Sequence, residues 1–461
     1  MPTNIKRFFN NIKNKKIAFC GIGTSNLPLI KLFSQKGAII TACDSKPASQ
    51  IPDIIENLKP FVVNFKLGKD YLKDLNVDII FRTPGLKIST PELIEAKNKG
   101  IIVTSEMEVF FDLCPCKIIA VTGSDGKTTT TTIISEFLKQ EGKCVHIGGN
   151  IGKPLLPIIE TINEDDIAVV ELSSFQLISM RKSPDVAVVT NLSPNHLDVH
   201  KDMSEYIDAK KNIILHQNAF STAILNMDNE ITKNFSNFVR GKTLFFSNSK
   251  CDNGVFLSDN IIYFAKNGVF EPILNVNEIR IPGKHNIENY MAAICAVIDD
   301  VSIDSIRYVA KNFNGVEHRA EFVREINNVK YYNDSIASSP TRTICGTLSL
   351  FNQKIILIAG GYDKKIPFDT LGPAIIDKVK VLILMGQTSN KIRESVINSS
   401  KFDPESLKII MVKDMNEAIC MANKNAVPGD IVSLSPACAS FDLYDNFMQR
   451  GWHFKELVNK L

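Results

Sequence analysis

Apolar and polar positions along the chain follow two alternating rhythms. Short β-branched runs occur at Lys16 to Cys20, Ala38 to Cys43, Ile118 to Thr122, Ile167 to Leu172 and Val186 to Asn191. Such continuous apolar runs mark strands covered on both faces, and the longer segments between them have room for crossover helices, so the pattern predicts parallel α/β sheets. The same rhythm returns at Lys354 to Ala359, Val381 to Met385, Lys408 to Val412 and Ile431 to Leu434, which predicts a further α/β unit at the end of the chain. Between about 220 and 282 the runs shorten and turn signals appear, among them Asn253-Gly254 and Asn267-Gly268, predicting a small β subdomain. The pattern breaks at Cys114-Pro115-Cys116 and changes again after Asn314-Gly315.

Length agrees with that division. At roughly 150 residues per domain, 461 residues suggest three domains, placed by the breaks at 1–112, 113–315 and 316–461. Hydrophobic residues at 44% and charged residues at 22% suit a globular chain able to bury several cores. Lys and Arg (53) nearly balance Asp and Glu (50), so no global field favours nucleic acid, and an anionic ligand needs a local site. No run of about 18 apolar residues and no secretory h-region occur. The ten cysteines offer one close pair, Cys114 and Cys116, without the second pair of a four-cysteine zinc site. These features predict a cytoplasmic chain with reduced thiols and no membrane partner.

Chemistry concentrates in a few segments. In Val121-Thr-Gly-Ser-Asp-Gly-Lys-Thr-Thr129 an apolar strand runs into a glycine loop and a Thr-rich helix start. Glycines let backbone N–H groups approach phosphates, Lys127 supplies charge for the β and γ phosphates, and the Thr128 hydroxyl suits Mg²⁺. Gly123, Ser124, Asp125, Gly126, Lys127, Thr128 and Thr129 are therefore candidate ATP contacts, although Val121 stands where the full P-loop pattern has its first glycine. A buried-type strand delivers Glu171 at its carboxyl end, where open α/β sheets bind ligands and where a hard-oxygen donor suits Mg²⁺. A helix-capping carboxylate is the plainer alternative for Glu171. His196 in Asn-Leu-Ser-Pro-Asn-His-Leu-Asp-Val-His200 and Lys210 in Asp208-Ala-Lys-Lys are singled out beside it. Taken alone, a histidine is more often structural and a lysine more often solvated.

The segments GSDGKTT at 123–129, GGNIGKP at 148–154, ELSSFQL at 171–177, NLSPNHLDVH at 191–200, PGKHNIEN at 282–289 and EHRAEFV at 317–323 resemble the Mur ligase family in order and spacing, over essentially the whole chain. Within that family, ELSSFQL, AGGYDKK at 359–365 and LSPACASFDLYDNFMQRG at 434–451 resemble the members that add D-glutamate. No DNPR-like motif of the diamino-acid-adding members is present.

The resemblance implies a Rossmann-like UDP-binding domain, a central P-loop-type ATPase domain with a mostly parallel sheet, and a Rossmann-like C-terminal domain for the amino acid. It implies an ATP-dependent ligase of peptidoglycan precursor synthesis that joins D-glutamate to UDP-N-acetylmuramoyl-L-alanine, acting as a monomer through an acyl phosphate, with the third domain rotating in to deliver the amino acid. It makes Thr128, Glu171, His196 and Lys210 contacts of two Mg²⁺ ions, Lys210 being the carbamylated lysine, with Lys211 the possible misassignment. Lys127, His196 and Lys210 are then the catalytic residues.

Asn286, Asn289, Arg319 and Asp334 match nucleotide contacts, with ion pairs or helix caps as alternatives. Asn150 matches a contact near the sugar or the activated carboxylate, with a simple turn as alternative. Lys364, Ser338, Ser440 and Phe447 match the amino-acid pocket. Ile336 stands where some members have lysine. The N-terminal Gly21-x-Gly23-x-x-Asn26 with Asp44 superficially offers a dinucleotide site, but Asn26 replaces the third glycine. The resemblance assigns Gly23, Thr24, Ser25, Asn26, Asp44, Ser45, Lys46, Thr83, Pro84 and Gly85 to the uridine diphosphate instead. Two rival readings remain: a folate polyglutamate ligase, and a non-catalytic nucleotide-dependent regulator that would have no need of Glu171, His196 and Lys210 together.

Overall fold

A computed structural model describes residues 2–194 and 199–461. They form two compact units, one comprising the chain up to Val276 with Glu288–Val309, the other Asn277–Ile287 with Ala310–Leu461.

The first unit holds two sheets. One is parallel throughout, in the order Val63–Leu67, Ile39–Asp44, Lys16–Cys20, Ile79–Arg82, Ile102–Thr104. Chain order reverses between Lys16–Cys20 and Ile79–Arg82, so a crevice opens at the carboxyl ends of these two strands. The second sheet runs Val269–Asn275, Ile261–Lys266, Gly254–Ser258, Lys242–Ser247, Thr222–Asn226, Val186–Val189, Lys117–Thr122, Ile167–Glu171, Val145–Gly149. Its central strands Ile167–Glu171 and Val186–Val189 are buried at every residue, as strands covered by helices on both faces must be.

The small β subdomain expected between 220 and 282 is an extension of this sheet. Lys242–Ser247 pairs in parallel with both Thr222–Asn226 and Gly254–Ser258, so Asn253-Gly254 starts a strand rather than turning a hairpin. The hairpin turns are Asp259-Asn260 (φ 49° and 63°) and Asn267-Gly268 (φ 53° and 77°). Positive φ at both central residues is the type I′ geometry that matches strand twist.

The two sheets share one apolar core. Phe19, Phe33 and Phe81 stack edge and face at 5.0–5.6 Å between centroids and belong to the same cluster as Phe110, Leu156, Leu177 and Tyr206. Arg82, buried at the end of its strand, donates to the Ser179 hydroxyl (2.6 Å) and the Phe175 carbonyl (3.3 Å), fastening the first sheet to the helix that follows Glu171.

The second unit is a six-stranded sheet, in the order Glu321–Ile326, Val329–Asn333, Ile431–Leu434, Ile355–Ala359, Val379–Leu384, Lys408–Met411. Only the first pair is antiparallel, joined by Asn327-Asn328 with φ 50° and 62°. Among the described residues, no helix is long and apolar enough to cross a membrane.

Candidate active site

Register places the central cluster. Val121, Glu171 and Gly149 are aligned across three parallel strands, so the glycine loop, the carboxylate and Asn150 emerge together at the carboxyl rim of the sheet. Gly126 caps the helix Lys127–Gln140 with φ 79°, a left-handed conformation that glycine adopts without strain. A Cβ there would collide with the Asn289 side chain, and one on Gly123 with the Thr190 hydroxyl. Thr190 and Asn191 brace the loop: the Thr190 hydroxyl donates to Asp125 O (2.6 Å), and Asn191 Oδ1 accepts from Asp125 N (3.0 Å). The loop is thereby pre-shaped, with Asn289 also accepting from the Thr130 hydroxyl at 3.2 Å.

Around it the predicted residues converge. Glu171, 1% exposed, accepts from the Thr128 hydroxyl (2.7 Å) on Oε2 and from the Asn150 amide (2.7 Å) on Oε1. Hydroxyl and carboxylate oxygens together are a hard donor set that fits Mg²⁺. Lys127 Nζ curls along the loop to Gly123 O and Ser124 O at 3.0 and 2.8 Å. Lys210, on the helix Met203–Leu215, reaches Gly123 O (2.9 Å) and the Thr122 hydroxyl (3.1 Å), with the Tyr206 ring 5.0 Å away. Burial, and then the charge of Lys127, push its ammonium down to about 7. Lys211 instead pairs with Asp208 at 2.8 Å, so geometry separates the two neighbours. His196 lies outside the described residues. Its motif partner His200 is buried, bonded to the Ser174 hydroxyl (2.8 Å) and Glu205 (3.2 Å) and stacked on Phe175.

At the first sheet the uridine-diphosphate candidates sit around the reversal crevice. Asn26, buried, donates to Gly21 O (2.9 Å), while its Oδ1 has no hydrogen-bond partner. Asp44 accepts from Ile22 N (2.9 Å) and Lys46 N (3.0 Å). Thr83 packs where a Gly21 side chain would sit, which brings the Gly23, Thr24, Ser25 turn and the Pro84, Gly85 turn to one rim. Ser45 and Lys46 are exposed beside it.

In the second unit, Asp334 is buried. It accepts from the Thr347 and Ser435 hydroxyls (2.8 and 3.0 Å) and Ala320 N (3.2 Å). Burial pushes its carboxyl up to about 6 against these bonds and the nearby Arg319. Arg319 itself is exposed, and Asn286, buried, donates to Pro282 O. Ser440 is buried, Ser338, Ile336 and Phe447 half-buried and Lys364 exposed.

The same unit also buries a cation that no sequence motif singled out. Arg450, 1% exposed, donates to the Ser335 hydroxyl and carbonyl (3.0 and 2.9 Å), Ala439 O (3.0 Å) and Cys438 O (3.1 Å). Five fixed donors suit a guanidinium to such a crossroads, and burial lowers its pKa to about 10. The available signal was an arginine directly before Gly451, where a side chain would collide with His318.

The Mur ligase middle domain model matches residues 121–297 and the Mur ligase, glutamate ligase domain model matches 318–438. A UDP-N-acetylmuramoylalanine–D-glutamate ligase of Acetivibrio thermocellus is 51% identical, and one of Clostridium botulinum strain 657 is 50% identical, each over all of both chains. Among solved structures, UDP-N-acetylmuramate-alanine ligase of Thermotoga maritima aligns over 97% of this chain and 99% of its own, with TM-score 0.57 at 16% identity. Escherichia coli FolC aligns over 77% of this chain and 91% of its own, with TM-score 0.54 at 14% identity, a likeness of fold alone. The matched models, the full-length identity and the cradle of Lys127, Thr128, Glu171 and Lys210 agree: this chain is an ATP-dependent ligase and belongs to the Mur ligase family.

Proposed function

We propose that the chain joins D-glutamate to UDP-N-acetylmuramoyl-L-alanine at the cost of ATP, in peptidoglycan precursor synthesis, as a cytoplasmic monomer. The observation that carries this reading is half-identity over the full length to ligases of that name, with the hydrogen-bonded cluster of Thr128, Glu171, Asn150 and Lys210 at the mouth of the glycine loop. Residues 1–112 hold the uridine diphosphate, 113–315 the ATP and 316–461 the amino acid.

A carboxylate resists amine attack because its oxygens share the negative charge, so its oxygen first takes the γ-phosphoryl of ATP and ADP leaves. The D-glutamate nitrogen then attacks the acyl carbon. The resulting tetrahedral centre collapses, phosphate departs, and the amine proton is lost to solvent or base. Bringing γ-phosphate to a carboxylate joins two anions, and Lys127 and Arg319 offset that repulsion while the loop N–H groups fix the line of attack. Thr128, Glu171 and His196 would hold two Mg²⁺ ions, whose charge neutralises the transferring phosphate.

Lys210 suits carbamylation because a group titrating near 7 presents neutral amine at physiological pH. That amine bonds to CO₂, releases a proton and leaves an anionic carbamate with two hard oxygens. Asn286, Asn289 and Asp334 contact the nucleotide. Lys364 pairs with a carboxylate of the amino acid beside Ser338, Ser440 and Phe447.

The test is phosphate release from Mg²⁺-ATP with UDP-N-acetylmuramoyl-L-alanine, offering D-glutamate, L-glutamate, L-lysine or diaminopimelate. Release with D-glutamate alone is expected. Release with another amino acid overturns the substrate, and none with any of them favours the folate or non-catalytic readings.

A further inference from the structure

Away from the nucleotide rim, three side chains of different chemistry converge at the opposite end of the same sheet. Cys144 and His146 are two residues apart on and just before the edge strand Val145–Gly149, so they share a face. Asp166 immediately precedes Ile167, whose N–H donates to Cys144 O at 2.9 Å. Val145 is in register with Ile167, which puts Asp166 level with Cys144. The Cys144 Sγ, His146 Nε2 and Asp166 carboxylate oxygen all lie within 4.8 Å of one another. Along the strands, five residues, about 17 Å of extended chain, separate Asp166 from Glu171, and three, about 10 Å, separate His146 from Gly149.

The pairwise distances show what the group can do. Asp166 Oδ2 is 2.8 Å from His146 Nε2, and Cys144 Sγ is 3.9 Å from that same nitrogen. A nucleophile–base–acid relay needs its two partners on opposite ring nitrogens; here both address one. Donor atoms focused on a common point are instead the arrangement of a metal site. Around tetrahedral zinc, with bonds of about 2.0–2.3 Å, such atoms stand roughly 3.3–3.6 Å apart, so side-chain rotations that move the donor atoms by about an ångström close the set. Asp166 is already oriented by Asn163 N at 2.9 Å, the kind of outer bond that holds metal ligands. Cys144 is exposed and His146 half-buried, which leaves a coordination position open to solvent. Glu164 and Asp165, both exposed beside the group, add negative potential that draws in a cation.

We infer that Cys144, His146 and Asp166 form a three-ligand site for a borderline divalent transition metal, Zn²⁺ above all, distinct from the Mg²⁺ cluster. Thiolate and imidazole select zinc over the hard Mg²⁺ ion, and loading releases the thiol proton to solvent.

The experiment is a metal titration of chelator-treated full-length protein with Mg²⁺ held saturating. Co²⁺ serves as the visible probe, and Zn²⁺ competes against a chromophoric chelator. One equivalent of Co²⁺ with a thiolate-to-metal charge-transfer band is expected for the wild type. In Cys144→Ser that band disappears, and His146→Ala weakens Zn²⁺ about hundredfold. Asp166→Asn, which keeps the side chain's shape, weakens it about tenfold, while circular dichroism and ligase activity stay at the wild-type level in all three. A wild type that takes up no more Zn²⁺ than the Cys144→Ser/His146→Ala double variant overturns the site. So does a charge-transfer band that survives in Cys144→Ser.

Discussion

Two rims of the molecule each bury a cation, and they bury it to opposite ends. Arg450, in the C-terminal unit, meets four oxygen acceptors and is spent on holding the chain segments around Ser335 and Cys438 to Ala439 together. Lys210, in the first unit, has two acceptors, a ring face and a neighbouring cation. A guanidinium stays charged when buried and can be satisfied all round; burial and a neighbouring positive charge loosen the proton of a buried amine. Full satisfaction suits a structural cation, and a lowered pKa beside the glycine loop fits the reactive role proposed for Lys210.

The sharpest way to break that contrast is Lys210→Ala. Ligation should fall at least about a thousandfold in kcat and recover in part when a small carboxylate is added, read by phosphate release. Unchanged turnover in the plain variant would remove the reactive role. Arg450→Met, by comparison, should cost about 3–5 kcal/mol because several buried acceptors lose their donor at once. Its measure is the urea midpoint of the folded chain, and a loss under about 1 kcal/mol would make Arg450 no more than a surface-like contact.

A third test uses Asp334, whose carboxyl is raised to about 6 from 3.8. Between those pH values the folded state keeps a proton that the unfolded chain has released. Its stabilising contribution is therefore whole below about 3.8 and lost as pH rises through about 6, a change of about 2–3 kcal/mol. Asp334→Asn should flatten this part of the pH profile of the urea midpoint. An equally steep profile in the variant would place the titration elsewhere.

Lys364→Ala should raise the KM for D-glutamate about tenfold with kcat little changed, and a shift confined to the KM for ATP would reassign it. The smallest effect belongs to Lys211→Ala: its ion pair with Asp208 is largely solvent-exposed on the acid side, so turnover should stay within about twofold. A loss as large as that of Lys210→Ala would erase the distinction between the two lysines.

Much of this is legible in the sequence. The glycine loop and Glu171 could be found because local rules point to them: glycine takes a positive φ, a strand ends in a carboxylate, and a helix starts in hydroxyls; Lys210 was reached only through the family resemblance, because a lone lysine carries no local signal. The small β subdomain was misread because Asn253-Gly254 looks like a hairpin signal, whereas parallel pairing by Lys242–Ser247 extends the sheet. Arg450 gave only the faint sign of the glycine that follows it, since its acceptors lie at Ser335, Cys438 and Ala439, and nothing in the chain order announces that these groups meet.

The sequence by itself determined where strands and helices alternate, that a phosphate cradle begins at Gly123, and which residue types are available to hold a hard metal. Those properties depend on neighbours a few positions away. Only the tertiary structure decided that Lys210 rather than Lys211 faces the loop, that Asn150 bonds Glu171, and that Cys144, His146 and Asp166 share one face. Each of these depends on the register between strands distant in sequence, and register is set by packing the whole core, which no local pattern contains.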